Sequence, residues 1–463
     1  MTSQPMISVA GIRGIVGDSL TPESFIRYVL AFGTLIDGGP VVVGSDTRLT
    51  RDMMRHLAFA ALESCGCTIY DIGLAPTPTV GLMVRELGAY GGIAITASHN
   101  PAEWNAYKFF DAQGSFLTKE QNLRLLEIVS SGEFRRASYK TVGKVTRCTT
   151  AIDRHVERVL AQIDVAAIAK RRFKVVADCV NGVGSVILRP LLEKLGCEFT
   201  LLFDDVNREF AHTPEPLPEN LTELCEQVRR RKADIGFAVD PDADRLALVD
   251  ETGRPIGEER TITLAAASIL EKTKGPVVVN LSTTRAMDDV TRAAGVPLYR
   301  TPIGEANVVA KIREVNAVIG GEGNGGVIYP PVHCGRDAAT GVGLILDTLA
   351  RKGMTLSQLN SLIPDYKIVK TKFARGDRNV AEILARMRKE FADAQELVSE
   401  DGLKAVYADR WVHLRPSGTE PVVRVFAEAP TEAAAQELIE RVWQRVINGL
   451  TPPELALQAC TDP

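Results

Sequence analysis

The sequence predicts an α/β protein: three related α/β modules with mixed sheets flanked by helices, plus a C-terminal α+β domain. Three observations predict it. Short β-branched runs alternate with stretches of helical character, the pattern of sheets covered by helices. The alternation follows one plan three times along the chain. Beyond residue 365 the pattern changes to alternating strands set between two amphipathic helices.

In chain order, "PVVVGSDTR" at 40–48, "KVVADCVNGVGS" at 174–185 and "PVVVNLSTTR" at 276–285 are apolar runs that break into polar residues. Helical stretches follow at 51–64, 185–195 and 285–294. A second strand completes each copy: "GGIAITASHN" at 91–100, "DIGFAVDPDADR" at 234–245 and "NAVIGGEGNGG" at 316–326. In open α/β sheets ligands bind beyond the carboxyl ends of strands. Three such loops can face one cleft. The last part reads as a strand at 365–374, then a helix at 379–394 with Val380, Ile383, Leu384, Met387 and Phe391 on one face. Paired strands across 404–429 and a final helix at 432–448 follow. The expected domains are 1–152, 153–255, 256–364 and 365–450, with a tail at 451–463.

Composition narrows the function. Hydrophobic content of 45% with 24% charged residues describes an ordinary globular chain of several cores. The net charge of -4 argues against nucleic-acid or membrane-surface partners, since nothing overall attracts phosphate backbones. No run spans a bilayer, and "MTSQPMISVAGIRG" has no basic or apolar export region, so the cytoplasm is expected. The eight cysteines are scattered and read as small core residues. The six histidines form no H-x-x-H or H-E-x-x-H pair, which leaves zinc little support.

The loops carry the chemistry. In "VDPDADR", Asp240, Asp242 and Asp244 crowd three carboxylates that repel one another unless a cation joins them. Hard oxygen ligands suit Mg²⁺ or Mn²⁺. An EF-hand is excluded, because its sixth position, here Arg245, must be glycine. A solvated acidic turn has the same local pattern. In "LRPSGTEPVVRV", Arg415 and Arg424 can fork onto phosphate oxygens, and Ser417, Gly418 and Thr419 can add donors. In "GGEGNGG", Glu322 and Asn324 offer an acceptor and an amide suited to sugar hydroxyls; the loop lacks the spacing of a dinucleotide or P-loop motif. In "TASHNP", Ser98 offers a hydroxyl, with His99 beside it and Lys108 nearby; the stretch has no G-x-S-x-G elbow.

Taken together, these loops resemble those of the α-D-phosphohexomutase family, with four motifs in the family's order over nearly the whole chain. "TASHNP" is similar to its phosphoserine loop, "DPDADR" to its metal loop, "GEGNGG" to its sugar-selecting loop and "RPSGTEPVVRV" to its phosphate-binding loop. The resemblance implies four domains around a central cleft. It implies that Ser98 carries a phosphoryl group, and that Asp240, Asp242 and Asp244 hold one Mg²⁺ that also touches the Ser98 phosphate. It places Arg13 of "GIRG" and Arg245 at the site. It makes Lys108 the residue that assists proton transfer, with His99 in support. Glu322 and Asn324 then touch the sugar. Arg415, Ser417, Gly418, Thr419 and Arg424 grip the phosphate that is not transferred.

The implied reaction moves phosphate between the 6- and 1-positions of a hexose through phosphoserine and a hexose 1,6-bisphosphate. The partner is a small phosphosugar, bound by a monomer or homodimer. The family's sugar loop more often reads G-E-x-S-G-H; here Asn324 replaces the serine and Gly326 the histidine. Trp104 and Ala106 stand where tyrosine and glycine are commoner. The start "ISVAGIRGIVG" and the N-G-G ending are most similar to the phosphoglucosamine mutases of the family, which implies interconversion of glucosamine 6- and 1-phosphate. Phosphomannomutase or phosphoglucomutase activity is the alternative. A phosphatase, and a silent sugar-phosphate binder, are the rivals outside that class.

Overall fold

β-branched runs that end in polar residues form the centre of each sheet. The computed structural model describes residues 5–8, 11–375, 378–417 and 422–447. The expected phosphate contacts Gly418 and Thr419, and the expected tail at 451–463, lie outside the described residues.

The first sheet comprises β1 (Met6–Ser8), β2 (Gly11–Ile15), β3 (Val41–Ser45), β4 (Thr68–Leu74), β5 (Gly91–Ile95), β6 (Trp104–Phe110) and β7 (Lys144–Arg147). Its order is β1-β2-β6-β5-β3-β4-β7. The second holds β8 (Lys174–Asp178), β9 (Glu198–Leu202), β10 (Ile235–Val239) and β11 (Leu246–Val249), ordered β11-β10-β8-β9. The third holds β12 (Val277–Asn280), β13 (Leu298–Thr301), β14 (Ile319–Glu322) and β15 (Gly326–Ile328), ordered β13-β12-β14-β15. One plan runs through all three. A first strand (β3, β8 or β12) lies between two parallel neighbours, and the later neighbour (β5, β10 or β14) turns back as an antiparallel hairpin. The hairpin tips are residues 96–103, 240–245 and 323–325.

The central strands are buried on both faces, as sheets sandwiched by helices require; every residue of β3, β5, β10 and β12 is buried. The helices fall where the sequence predicts them, at Arg51–Ser64, Gly184–Lys194 and Ala286–Ala294. The first sheet is larger than the shared plan. The hairpin β1–β2 adds to β6 and sets Arg13 opposite Ala106. At the far edge, β7 is exposed along its whole length. Its sequence, KVTR, has no buried face to betray a strand, and its charges blunt an open edge.

The C-terminal unit is an antiparallel sheet of β16 (Lys367–Ala374), β17 (Glu396–Val398), β18 (Leu403–Val406), β19 (Trp411–Pro416) and β20 (Val422–Ala429), ordered β16-β20-β19-β18-β17. The helices Val380–Glu390 and Glu432–Arg441 pack on it through Ile383, Met387, Phe391, Leu438 and Ile439. Among the described residues no helix is long and apolar enough to cross a membrane.

Buried polar links hold the modules together. His155 is fully buried between Thr79 of the first module and Asp337 of the third, its two ring nitrogens 2.8 Å from each. Asp337 in turn caps the helix Ala338–Lys352. Buried polar groups this well satisfied fix one relative placement of the modules.

Candidate active site

The three hairpin tips converge. Ser98 Oγ donates to Asp240 Oδ2 at 2.7 Å, across 142 positions of sequence. Ser98 sits at the end of a fully buried strand with φ of 52°, a left-handed conformation that costs a non-glycine residue energy and persists only when its surroundings impose it. Two contacts impose it here. The Ser98 amide donates to Thr96 Oγ1 at 2.9 Å, and Arg48 Nη2 donates to the Ser98 carbonyl at 2.7 Å. Arg48, which sequence reasoning missed, also donates to the carbonyls of Asn100, Pro101 and Trp104. Its own charge is balanced by the equally buried Asp46 at 3.2 Å.

Asp240, Asp242 and Asp244 are fully buried, with one ligand atom from each within 4.8 Å of the others. Their loop is held from several sides. The Thr77 amide donates to the Asp242 carbonyl, and the Thr77 hydroxyl to the Asp242 carboxylate. Val183 donates to the Pro241 carbonyl, and Ala338 to that of Ala243. Leu246, just past the loop, receives its partner from the third module, the Gly325 carbonyl at 3.0 Å. Lys108, on β6, puts Nζ 2.7 Å from Asp242 and 3.9 Å from Asp244. Burial works against its charge, but the two carboxylates outweigh it and raise the Lys108 pKa. Burial and the two neighbouring carboxylates push Asp240 well above the usual carboxyl range. Burial also opposes ionisation of Asp242, but Lys108 and Thr77 hold it below its ordinary value. Among the described residues, one oxygen of Asp242 and one of Asp244 are buried with no hydrogen-bond partner. Two orphaned anionic oxygens in a nest of three carboxylates fit a small hard cation.

His99 Nδ1 lies 3.4 Å from Ser98 Oγ. Burial and then the charges of Arg245 and Arg13 hold its imidazole well below the usual range, so it is neutral. Arg245 Nη1 reaches Glu215 at 2.7 Å, and Arg13 Nη1 reaches Asn100 Oδ1 at 3.3 Å. Glu322 ends β14. Its Oε1 accepts from Asn280 Nδ2 at 2.9 Å and from the Gly304 amide at 3.0 Å, and its Oε2 from Arg336 at 2.9 Å. Asn324 Oδ1 is buried with no hydrogen-bond partner among the described residues.

Arg13, His99, Arg245, Glu322, Asn324, Arg415 and Arg424 line one cleft of roughly 1860 Å³, while Ser98, Lys108 and the three aspartates are buried next to its lining residues His99 and Arg245. Arg415 and Arg424 sit opposite each other in the β19–β20 register. Arg415 Nε is 3.2 Å from Asp401. The Ser417 amide donates to the Val422 carbonyl at 2.9 Å. Arg336, Glu305 and Thr77 also went unnoticed in the sequence. None belongs to a local motif, and each is recruited by a partner far along the chain.

Comparisons with known proteins agree with this architecture. Family models match in chain order: "Phosphoglucomutase/phosphomannomutase, alpha/beta/alpha domain I" over residues 6–136, domain II over 153–253, domain III over 258–366, and the C-terminal domain over 368–444. A Thermococcus kodakarensis protein named "Phosphoglucomutase/phosphomannomutase" is 38% identical over 440 residues, 93% of this chain and 96% of its own. A Methanopyrus kandleri protein named "Probable phosphoglucosamine mutase" is 38% identical over 433 residues, 93% of this chain and 95% of its own. The crystal structure of a phosphoglucomutase/phosphomannomutase family protein from Burkholderia thailandensis superposes with a TM-score of 0.82 at 27% identity, covering 95% of this chain and 98% of that one.

Proposed function

Because this chain belongs to the phosphoglucomutase/phosphomannomutase family and is a phosphosugar mutase, we propose that it interconverts glucosamine 6-phosphate and glucosamine 1-phosphate through a phosphorylated Ser98. The observation that carries the mechanism is the Ser98 hydroxyl, held in a left-handed turn against the acidic nest. The substrate reading rests on the N-G-G ending of the 320–326 loop and on the relative named for glucosamine.

In the forward half-reaction the Oγ–P bond of phosphoserine 98 breaks and a bond forms from phosphorus to the free hydroxyl of the bound hexose phosphate. The product is a hexose 1,6-bisphosphate. Lys108 balances the charge of the transferring group while it is paired with Asp242. Its ammonium gives one proton to Ser98 Oγ as that oxygen leaves, and the neutral amine so formed takes the proton of the attacking hydroxyl. Neutral His99, next to Oγ, supports the serine. Asp240, Asp242 and Asp244 hold one Mg²⁺, whose positive charge, when bound, draws electron density from the phosphoryl oxygens.

The bisphosphate then turns around and returns its other phosphoryl group to Ser98. Small-molecule sites commonly enclose roughly 300–1,000 Å³, so a cleft of roughly 1860 Å³ leaves space for that turn. Arg415 and Arg424, with Ser417, Gly418 and Thr419, grip whichever phosphate is idle. Arg13 and Arg245 line the same cleft, and Glu322 and Asn324 read the ring. Positioning and charge neutralisation supply most of the catalysis in such a transfer.

Competitive turnover of glucosamine, glucose and mannose 6-phosphates tests the reading. It predicts the highest kcat/KM for glucosamine phosphate; a clear preference for mannose or glucose would overturn that choice of sugar. Build-up of inorganic phosphate in place of an isomer would make the protein a phosphatase.

A further inference from the structure

We propose that Arg336 is a positioning residue for sugar recognition, one that takes over the side-chain space of position 326 and locks Glu322 to the acidic loop. The proposal rests on reading the cleft as a hexose phosphate site. Gly326 opens β15 opposite Glu322. Its backbone is not left-handed, so nothing in its torsions calls for glycine. The demand comes from a neighbour: a Cβ at 326 would lie 2.2 Å from Arg336 Cδ and 2.8 Å from Cγ. Atoms cannot approach that closely, so Arg336 and a side chain at 326 exclude each other.

The stem of Arg336 has no freedom to swing away. Nη1 donates to Glu322 Oε2 at 2.9 Å, Nη2 to Asp244 Oδ2 at 2.6 Å and Nε to Glu305 Oε2 at 3.0 Å. The side chain is 11% exposed and lines the cleft. Only a planar guanidinium can serve three carboxylates in three directions; a lysine ammonium is a point charge. Glu322 is therefore fixed on both oxygens, by Asn280 and Gly304 on one and Arg336 on the other, which leaves one lone-pair site, on Oε2, for a ring hydroxyl. One cation thus ties the loop that reads the sugar to the loop beside Ser98. The glycine at 326, where the family more often has histidine, and the arginine at 336 form a matched pair.

The test compares the full-length wild type with Gly326→Ala, Arg336→Ala, Arg336→Lys and the double variant Gly326→Ala/Arg336→Ala. Each is measured for thermal midpoint and for kcat and KM on hexose phosphates. Gly326→Ala lowers the midpoint and raises KM at least tenfold, because its Cβ displaces Arg336. Adding Arg336→Ala to it causes little further loss, so the double variant is clearly better than the sum of the single effects. Arg336→Lys raises KM at least fivefold with a smaller change in kcat. Additive losses in the double variant, or wild-type midpoint and KM in Gly326→Ala, overturn the shared-space claim. A wild-type KM in Arg336→Lys overturns the positioning claim. If Arg336→Ala fails to fold, Gly326→Ala and Arg336→Lys decide between these outcomes. Absence of mutase turnover in the wild type would defeat the mutase reading alone. In that event the midpoints still decide the packing claim, and the calorimetric affinity for glucosamine 6-phosphate replaces KM; no measurable affinity overturns the positioning claim.

Discussion

Ser98 Oγ and Asp240 Oδ2 meet at 2.7 Å although 142 positions separate them in the chain. Each lies at the tip of a hairpin in a different module, and the two hairpins occupy the same place in their sheets. The contact exists because Thr77 pins the acidic loop to the first module while Arg48 pins the serine turn to its own sheet. A repeated fold thereby brings a hydroxyl and an anionic nest together without either being near the other in sequence.

Replacement of that hydroxyl is the first prediction. Ser98→Ala removes the proposed phosphoryl carrier and leaves the cleft lining intact, so mutase turnover falls by about 10³-fold or more. Binding of glucosamine 6-phosphate, followed by calorimetry, stays within a few-fold of wild type. Turnover near the wild-type rate would remove Ser98 from the reaction.

The acidic nest is expected to bind a divalent cation more tightly in the folded state than in the unfolded chain. Mg²⁺ at about 100 times its dissociation constant then stabilises the fold by about 2.7 kcal/mol. The thermal midpoint of the wild type rises with added Mg²⁺. In Asp240→Asn/Asp242→Asn/Asp244→Asn the midpoint no longer responds. An equal response in both proteins would mean the cation binds elsewhere.

Arg48 is predicted to be structural at the serine turn. Arg48→Met strands the buried carboxylate of Asp46 and frees four carbonyls, and losing one partner of a buried pair costs about 3–5 kcal/mol. The urea midpoint drops, and turnover drops with it as the Ser98 turn relaxes. An unchanged midpoint contradicts the role given to this side chain.

Acid sensitivity follows from His413, buried between the C-terminal unit and the third module. Its Nε2 is 2.6 Å from the Asp401 carbonyl, which can only accept, so Nε2 carries the proton and Nδ1 accepts from Ser282 Oγ at 2.9 Å. Burial pushes the imidazole down to about 4; the Asp401 carbonyl resists and the Lys404 charge adds to the fall. In the unfolded chain it titrates near 6.5. Between those values the unfolded state binds more protons, so the stability it contributes is present above about pH 6.5 and is lost as the pH falls toward about 4. The full effect is about 3 kcal/mol. Urea midpoints across that range fall less steeply in His413→Gln than in wild type; parallel curves would contradict the assignment.

Much of this architecture was legible in the sequence, for identifiable reasons. The runs VVVGS, IGFAV and VVVN are buried on both faces of a sheet, so each reads as unbroken β-branched hydrophobicity ending abruptly in polar residues. The Asp240–Asp242–Asp244 spacing and the TASHNP turn are local patterns and show themselves directly. Arg48, Thr77, Glu305 and Arg336 were not legible. Apart from Asp46 beside Arg48, their partners are backbone carbonyls, carboxylates and, for Glu305, the Arg336 guanidinium, all brought near by the tertiary fold, and an arginine in "GSDTR" or "CGRD" looks like any surface cation. The strand β7 escaped because a solvated edge carries no hydrophobic period.

Tracing one phosphoryl group puts Ser98 to the test. The protein is first labelled with radioactive hexose 1,6-bisphosphate, the labelled peptide is mapped, and the purified phosphoprotein is given unlabelled glucosamine 6-phosphate. Label is expected on Ser98 alone, followed by its passage into sugar bisphosphate and then into the sugar monophosphate pool. Label on another residue, or release as inorganic phosphate with no labelled sugar, would contradict that route.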